Sequence, residues 1–296
     1  MVPGAERHRA LSMVTPGVSL QADTAAQGLH RGGTRPVRLR LCSQTGKWLR
    51  LAWQLVRGAW TVRVHFGRLD AAQRGRVVQQ WARQTLAVME LHVQADAPLA
   101  QDLAGLVVCN HLSWLDVLVM QSLLPVTFVA KREVRHWPLI GYLARGAGTV
   151  FVDRARARSA QAMVERTADA MRQGQAVVVF PEGTSSDGSQ LGRFHANIFE
   201  SALRARAPVH TLALQYRQAA SDTPAAAAHF IGDMGFLTSM RQVMATPGMR
   251  AMLSIGECIA SEGHSRKSLA LHAQASVNKQ LVHLQSAQGT RHAETS

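Results

Sequence analysis

Cysteine is scarce in this chain of 296 residues, and the three cysteines present are far apart in sequence. Cys42, Cys109 and Cys258 form no CxxC pair and no even-numbered framework, which argues against a disulfide-stapled secreted domain and against a cysteine-based metal site. Cys109 lies in an apolar run, as a buried thiol would. This cysteine usage is typical of a reducing compartment, most simply a bacterial-type cytoplasm.

Acidic residues are also in short supply. The chain has 33 Lys and Arg against 19 Asp and Glu, a formal net charge of +14. Such a balance favours an anionic partner, either a nucleic acid or an anionic membrane surface. Aromatic residues make up only 5% of the chain, and no basic stripe is interleaved with them. The membrane surface is therefore the expected partner, and no nucleic acid is expected.

Several catalytic signatures are missing. The sequence has no G-x-S-x-G elbow, which argues against a serine hydrolase, and no H-E-x-x-H or Cys/His spacing for a metal. The GAG at 146–148 precedes a predicted strand and does not open a helix, so it is not a dinucleotide-binding fingerprint. We expect neither a metal nor a resident cofactor.

Uninterrupted apolar runs of about 18 residues, the length needed to span a bilayer, do not occur. The nearest approach is residues 47–66, KWLRLAWQLVRGAWTVRVHF, where Arg50, Arg57 and Arg63 interrupt tryptophan-rich apolar sequence. Tryptophan and arginine together suit a helix that lies in the lipid headgroup region. The alternative is a helix packed on the protein's own core.

A second helix is predicted directly after this segment. Asp70 can cap it, and an apolar stripe runs on to Val93. Residues 44–95 are therefore predicted to form a two-helix membrane-interface motif. The preceding residues 1–43 lack periodicity and contain the basic stretch RGGTRPVRLR, which predicts a disordered basic arm.

Beyond Pro98 short apolar runs alternate with helical stretches. Strands are predicted at 103–109, 126–130, 149–152, 176–180, 209–216 and 249–255, and helices at 159–172, 197–206 and 268–284. The alternation predicts an α/β domain over residues 96–285, with a largely parallel mixed sheet flanked by helices, followed by a flexible tail at 286–296. Ligands of such sheets lie beyond the carboxyl ends of the strands.

The stretch NHLSWLD, residues 110–116, follows one of these strands. Five positions on a regular helix correspond to about 500°, so His111 and Asp116 can meet only if the histidine precedes a helix whose first turn holds the aspartate. A carboxylate bonded to one imidazole nitrogen leaves the other nitrogen to accept a proton, which makes the pair a candidate base and orienting acid. The alternative is a capping box of Ser113 and Asp116, with His111 incidental.

A second polar stretch, FPEGTSSDG at 180–188, follows another strand. Gly183 allows a sharp turn, whose backbone N–H groups together with Thr184 make a candidate cradle for an anion or a polar headgroup. Glu182 would repel phosphate, so it is expected to accept hydrogen bonds or to pair with an arginine. The alternative is an ordinary strand-to-loop turn.

Two basic residues stand at the ends of other predicted strands. Lys131 follows FVA and Arg154 follows FVD. Either could bind an anionic headgroup, and arginine is the better bidentate ligand for phosphate. The alternative for both is a solvated surface charge.

These blocks together resemble the glycerolipid acyltransferases, whose best-known members are the lysophosphatidic acid acyltransferases. NHLSWLD is similar to their HxxxxD motif, KREVRHWPLIGYLARGAGTVFVDR to their second block and FPEGTSSDG to their third, in the same order. The resemblance covers roughly residues 48–260. It implies transfer of a fatty acyl chain from acyl-CoA or acyl carrier protein, as co-substrate, to the free hydroxyl of a lysolipid.

The resemblance also implies roles for individual residues. It implies a histidine base at His111 oriented by Asp116, with Lys131 near the reacting centre and headgroup contacts at Arg154, Glu182 and Gly183. The expected acceptor is 1-acyl-sn-glycerol-3-phosphate, giving phosphatidic acid. The expected location is the cytoplasmic face of the inner membrane, with peripheral or monotopic attachment.

The sequence departs from the family pattern in two places. Ser185, Ser186 and Asp187 follow the third block where lysophosphatidate enzymes typically have basic residues, which looks closer to the branch that acylates lyso-ornithine lipids. Thr211 stands where the fourth block usually has a second proline. A lyso-ornithine lipid is therefore the alternative acceptor, and a non-catalytic basic protein that binds lipid or nucleic acid is the alternative of a different class.

Overall fold

The computed structural model describes residues 37–152 and 157–293. Most of the predicted basic arm, residues 1–36, lies outside this part of the chain. Residues 37–43 are helical, as the start of the first helix. At the other end the last helix continues to Ala293, beyond residue 285, where the sequence predicted the domain to end.

The described chain begins with the predicted pair of helices, α1 (Val37–Val64) and α2 (Ala71–Val88). Asp70 caps α2 as expected: its carboxylate accepts a hydrogen bond of 2.7 Å from Gln73 N, and the Gln73 side chain accepts one of 3.0 Å from Asp70 N. This reciprocal arrangement satisfies donors that the first turn of a helix would otherwise leave unpaired.

The two helices pack closely and leave one apolar face of α1 uncovered. Trp81 Nε1 donates to Gln54 O at 2.8 Å, and a Cβ at Gly58 would lie 2.6 Å from the same indole nitrogen. The absence of a side chain at Gly58 therefore makes room for the Trp81 indole of α2. The exposed face carries apolar side chains at spacings of four, three and four: Leu49, Trp53, Val56 and Trp60. No helix in the described part of the chain combines the length and the apolar content that crossing a bilayer requires.

Helix α2 is shorter than the sequence predicted. It ends at Val88, and Glu90 has a positive φ of 55° that turns the chain into strand β1 (Leu91–Ala95). This strand pairs in parallel with β7 (Met249–Ile259), so the end of the predicted hairpin segment belongs to the sheet. The apolar residues after Val88 fit a helical stripe as well as a strand, and pairing with a distant strand decides between the two.

Seven strands form the sheet in the order β1-β7-β6-β2-β5-β3-β4. The five strands from β2 to β6 run parallel to one another, β7 is antiparallel to β6, and β1 is parallel to β7. The predicted largely parallel mixed sheet is therefore confirmed. The remaining bounds are β2 (Gly105–Cys109), β3 (Val126–Lys131), β4 (Val150–Val152), β5 (Ala176–Val179) and β6 (Val209–Gln218).

Helices cover both faces of the sheet, as the continuously apolar central strands require. The α1–α2 pair packs on one face with α3 (Leu115–Leu123) and α7 (Phe236–Ala245), around Val107 and Cys109. The opposite core, around Leu106 and Val108, is built with α5 (Ala157–Arg172), α6 (Glu200–Ala205) and α8 (Arg266–Ala293). A short helix, α4 (Ile140–Gly146), connects β3 to β4.

Candidate active site

The predicted polar stretches meet at one edge of the sheet. His111 lies two residues after β2, and Glu182 lies three residues after β5, the neighbouring parallel strand. Because the carboxyl ends of parallel strands share an edge, the two loops lie side by side. Ser186 N donates to His111 O at 2.9 Å and joins them directly.

His111 and Asp116 have the geometry that the sequence required of a pair. The helix α3 begins at Leu115, so His111 precedes it and Asp116 lies in its first turn. The atoms His111 Nδ1 and Asp116 Oδ2 are 2.7 Å apart. Asp116 is fully buried, whereas 22% of the His111 side chain is exposed. Because the carboxylate is an acceptor, Nδ1 carries the hydrogen, and Nε2 is the nitrogen that can take a proton from a substrate.

Only half of the alternative capping box is present in this stretch. Asp116 Oδ2 accepts from the backbone N–H of Ser113 at 2.9 Å and from that of Leu112 at 2.7 Å. The residue at the N-cap of α3 is Trp114, and the buried Ser113 hydroxyl has no hydrogen-bond partner among the described residues. Because Asp116 also bonds the imidazole, His111 is not incidental. The aspartate thus fixes the loop that carries the histidine as well as the imidazole.

Glu182 is occupied by backbone donors. Its Oε1 accepts from His111 N at 2.7 Å and its Oε2 from Gly192 N at 2.8 Å. The side chain is buried, and burial raises the pKa of its carboxyl group, although the two backbone bonds act in the opposite direction. The expectation that Glu182 accepts hydrogen bonds is confirmed. Through its bond from His111 N, the carboxylate holds the backbone of the loop that carries the histidine.

The turn after β5 also restrains the imidazole ring. Phe180 stacks on His111 with ring centroids 4.2 Å apart and an angle of 8° between the planes. Gly183 follows with a φ of +76°, a conformation that glycine adopts without strain. Gly183 and Thr184 both line the cavity described below, as the headgroup-cradle prediction requires of them.

Two further residues of the site were not identified from the sequence. Tyr216 on β6 donates its hydroxyl to Asp116 Oδ1 at 2.7 Å, and burial, the Asp116 charge and this bond all raise the pKa of the phenol. Asn110 bonds both backbone groups of Leu214, at 2.9 Å to the carbonyl and 2.7 Å to the N–H. The available signal was modest: a tyrosine near the end of a buried strand, and an amide directly before the histidine.

The side chains of the two predicted cations, Lys131 and Arg154, lie outside the described part of the chain. Lys131 is the last residue of β3, where its backbone pairs with Val152 at the same edge of the sheet. Arg154 lies outside the described residues. His195 is exposed and also lines the cavity.

A cavity of about 980 Å³ extends from His111 between the α1–α2 pair, α3 and α4. Its volume is at the upper end of the usual range for small-molecule sites. Most of its lining side chains are apolar, including Leu55, Trp81, Leu118 and Leu143, and His111 is part of the lining. The arrangement places a proton acceptor in the wall of a pocket suited to a long apolar chain.

Comparison with known proteins agrees with this geometry. A family model described as Acyltransferase matches residues 90–215. The lyso-ornithine lipid O-acyltransferase of Pseudomonas aeruginosa is 35% identical over 81% of this chain and 93% of its own length. The 1-acyl-sn-glycerol-3-phosphate acyltransferase of Neisseria meningitidis serogroup B is 31% identical over 67% of this chain and 77% of its own.

The fold has a counterpart among solved structures. The crystal structure of PlsC, the 1-acyl-sn-glycerophosphate acyltransferase of Thermotoga maritima, superposes with a TM-score of 0.63 over 84% of this chain and 97% of that one, at 20% sequence identity. At this identity the likeness shows the fold. Since the relative from P. aeruginosa is matched over nearly its whole length, the chain belongs to the acyltransferase family.

Proposed function

We propose that this protein transfers a fatty acyl chain from a thioester donor to the hydroxyl of a lysolipid, and that its preferred acceptor is a lyso-ornithine lipid. The observation that carries the chemistry is the 2.7 Å bond between Asp116 and His111, which lines the cavity. Function as a lysolipid acyltransferase accords with the relatives matched over most of their length.

The reaction needs one base and one oxyanion site, because a thioester is already activated. Nε2 of His111 takes the acceptor's hydroxyl proton as the oxygen attacks the thioester carbonyl. Asp116 stabilises the imidazolium so formed. When the tetrahedral intermediate collapses, the C–S bond breaks and the departing sulfur receives the proton from His111. A backbone N–H of the turn at Gly183 stabilises the oxyanion. No resident metal or cofactor takes part in this scheme, and acyl-CoA or acyl carrier protein supplies the chain.

Two observations favour a lyso-ornithine acceptor over lysophosphatidate. The first is the similarity to a lyso-ornithine lipid acyltransferase along 93% of that relative's length. The second is the charge after the Gly183 turn: Asp187 is exposed, and hydrogen bonds from Ser189 lower the pKa of its carboxyl group. An ionised carboxylate there repels a phosphate monoester and attracts the ammonium group that an ornithine headgroup carries.

The same protein is proposed to attach peripherally to an anionic membrane on the cytoplasmic side. The stripe on α1 exposes two indole rings, with 65% of Trp53 and 63% of Trp60 accessible, and other residues of the same helix line the cavity. The net charge of +14 adds an electrostatic attraction to anionic lipid. The cysteine usage favours the reducing side of the membrane.

An acceptor panel tests the proposal. Purified protein is given acyl-CoA or acyl carrier protein thioester with either lyso-ornithine lipid or 1-acyl-sn-glycerol-3-phosphate, and both free thiol and acylated product are measured. We expect kcat/KM for lyso-ornithine lipid to exceed that for lysophosphatidate by about tenfold or more. His111→Ala should lower kcat by about 10²–10⁴-fold. His283→Ala, at an exposed position on α8, is the matched control and should match the wild type.

Each outcome addresses a different part of the proposal. Preference for lysophosphatidate overturns the acceptor assignment and leaves acyl transfer intact. Undiminished turnover by His111→Ala overturns the mechanism. Absence of product with both acceptors and both donors rejects acyl transfer to either lysolipid and favours a non-catalytic lipid-binding role.

A further inference from the structure

We propose that Tyr216 is a positioning residue that sets the basicity of His111 by holding Asp116 in place. The inference rests on the proposed function, because it assigns a role within the same catalytic pair. Tyr216 is not among the residues that line the cavity, and it acts through the hydrogen bond from its hydroxyl to Asp116 Oδ1.

The two carboxylate oxygens of Asp116 have different hydrogen-bond donors. Oδ2 accepts from His111 Nδ1 and from the backbone N–H groups of Leu112 and Ser113, whereas Oδ1 accepts from the Tyr216 hydroxyl at 2.7 Å. Both Asp116 and Tyr216 are fully buried, so water does not compete for Oδ1. With a donor on each side, the carboxylate cannot rotate away from the histidine without leaving a buried donor unpaired.

The tyrosine is itself held rigidly. Leu214 and Tyr216 are two residues apart on β6 and belong to the same core cluster, on the face that meets α3. Asn110 fixes this part of β6 by bonding both backbone groups of Leu214. Ala225 N donates to Tyr216 O at 2.9 Å along the same edge of β6. The hydroxyl therefore occupies a position determined by the sheet and not by a mobile loop.

A hydrogen bond to Oδ1 withdraws charge from the carboxylate and weakens its hold on a proton at His111. Removing the donor should make Asp116 a stronger partner for the imidazolium, which raises the pKa of His111. Because catalysis needs the neutral imidazole, the acid limb of the pH–rate profile moves to higher pH. A loss of packing alone lowers stability or turnover and does not move this limb.

The other titratable groups that face the pair stay in place when Tyr216 is changed. Glu182 lies below His111, Cys109 lies at the end of β2 beside Asp116, and His229 on the loop after β6 is within electrostatic range of Asp116. Burial raises the pKa of the Cys109 thiol and lowers that of the His229 imidazole, so both groups favour their neutral forms. A shift between wild type and variant therefore reports the loss of the phenolic donor.

The first test is Tyr216→Phe, which deletes the hydroxyl and keeps the ring. In the full chain, profiles of kcat/KM and kcat from pH 5 to 9 should show the acid limb raised by about half a unit to one unit, with kcat lowered by about tenfold. Tyr142→Phe is the matched control, since the chain has only two tyrosines and Tyr142 lies on α4. Its profile should coincide with the wild type.

A second measurement uses the same control protein. In Tyr142→Phe, incorporation of 3-fluorotyrosine labels position 216 alone. Fluorine makes the phenol a stronger donor and changes its size little, so the acid limb should move to lower pH, opposite to its movement in Tyr216→Phe. This arm remains available if Tyr216→Phe does not fold. An acid limb that stays fixed, or that moves in the same direction under both changes, overturns the inference.

An NMR titration that needs no acceptor distinguishes failure of the proposed function from failure of the positioning role of Tyr216. The His111 resonance, identified by its disappearance in His111→Ala, is titrated in wild type and in each Tyr216 form. An inactive wild type whose His111 pKa rises in Tyr216→Phe or falls with fluorotyrosine rejects the acceptors and supports the positioning role. An unchanged His111 pKa rejects the positioning role whatever the activity.

Discussion

Replacing Glu182 with glutamine tests whether its carboxylate stabilises the loop that carries His111. In the wild type the two carboxylate oxygens accept from His111 N at 2.7 Å and from Gly192 N at 2.8 Å. Glutamine keeps one carbonyl oxygen and turns an NH2 group toward the other backbone N–H. One buried backbone donor then has lost its partner, either His111 N or Gly192 N.

The size of the effect follows from that stranded donor. An unsatisfied buried group costs about 1–3 kcal/mol of unfolding free energy. In a protein of about this size, each kcal/mol lowers the melting temperature by roughly 2–4 °C, so we expect a fall of about 2–12 °C. Burial raises the pKa of Glu182, which means that the charged form is itself penalised in the folded state. Glutamine is neutral and does not carry this penalty. At a pH above the pKa of Glu182, the net loss of unfolding free energy should therefore lie toward the lower end of about 1–3 kcal/mol.

The raised pKa of Glu182 determines how the stability deficit of Glu182→Gln changes with pH. Because the folded-state pKa of Glu182 is raised above its ordinary value of 4.5, folding favours the protonated carboxyl group. The stabilisation from this group is fully present below about 4.5 and is lost as the pH rises through the raised pKa. Glutamine does not titrate. The stability deficit of Glu182→Gln should therefore be largest at low pH and should narrow as the pH increases.

Thermal unfolding followed by circular dichroism from pH 4 to pH 8 measures both quantities. Glu262→Gln is the matched control, because Glu262 is exposed and its substitution should change the unfolding free energy by less than about 0.5 kcal/mol. A deficit that widens with pH, or a melting temperature equal to that of the wild type throughout, would refute the assigned role of the carboxylate.

Two further predictions concern the helical pair. Trp53→Ser combined with Trp60→Ser should weaken sedimentation with phosphatidylglycerol-containing vesicles by about tenfold or more. Each indole exposes substantial apolar area to water, which binding to the membrane would bury and which the variant lacks. Gly58→Ala should destabilise the protein by about 1–3 kcal/mol in urea unfolding, because its Cβ would lie 2.6 Å from Trp81 Nε1 and the overlap outweighs the gain of about 1 kcal/mol in helix propensity.

Each of these predictions has a control in the same chain. Leu271→Ser removes an exposed apolar side chain from α8, away from the α1 stripe, and should leave vesicle binding unchanged. Gly46→Ala lies on the same helix as Gly58, and its Cβ would meet no atom within 4 Å, so it should preserve or raise stability. Equal vesicle binding by the tryptophan variant, or a stabilised Gly58→Ala, would contradict the geometry of α1.

Local sequence predicted the fold class and most strands because the central strands are continuously apolar and are separated by helical stretches. The segment Ala176–Val179 is the clearest case, since four consecutive buried residues between turn signals leave few alternatives. The strand Leu91–Ala95 was read as the end of a helix, because its pairing with Met249–Ile259 involves residues more than 150 positions away. Such pairing leaves no trace in local periodicity.

For the site, the sequence by itself determined which loop carries the base and how His111 and Asp116 must be spaced around a helix start. Their distance along the chain is short, so local geometry is enough. Only the tertiary structure decided that Glu182 holds His111 N, that the Ser113 hydroxyl caps nothing and that Tyr216 reaches Asp116 Oδ1. The bonds of Glu182 and Tyr216 join residues 71 and 100 positions apart, and their partners are set by which strands lie side by side in the sheet.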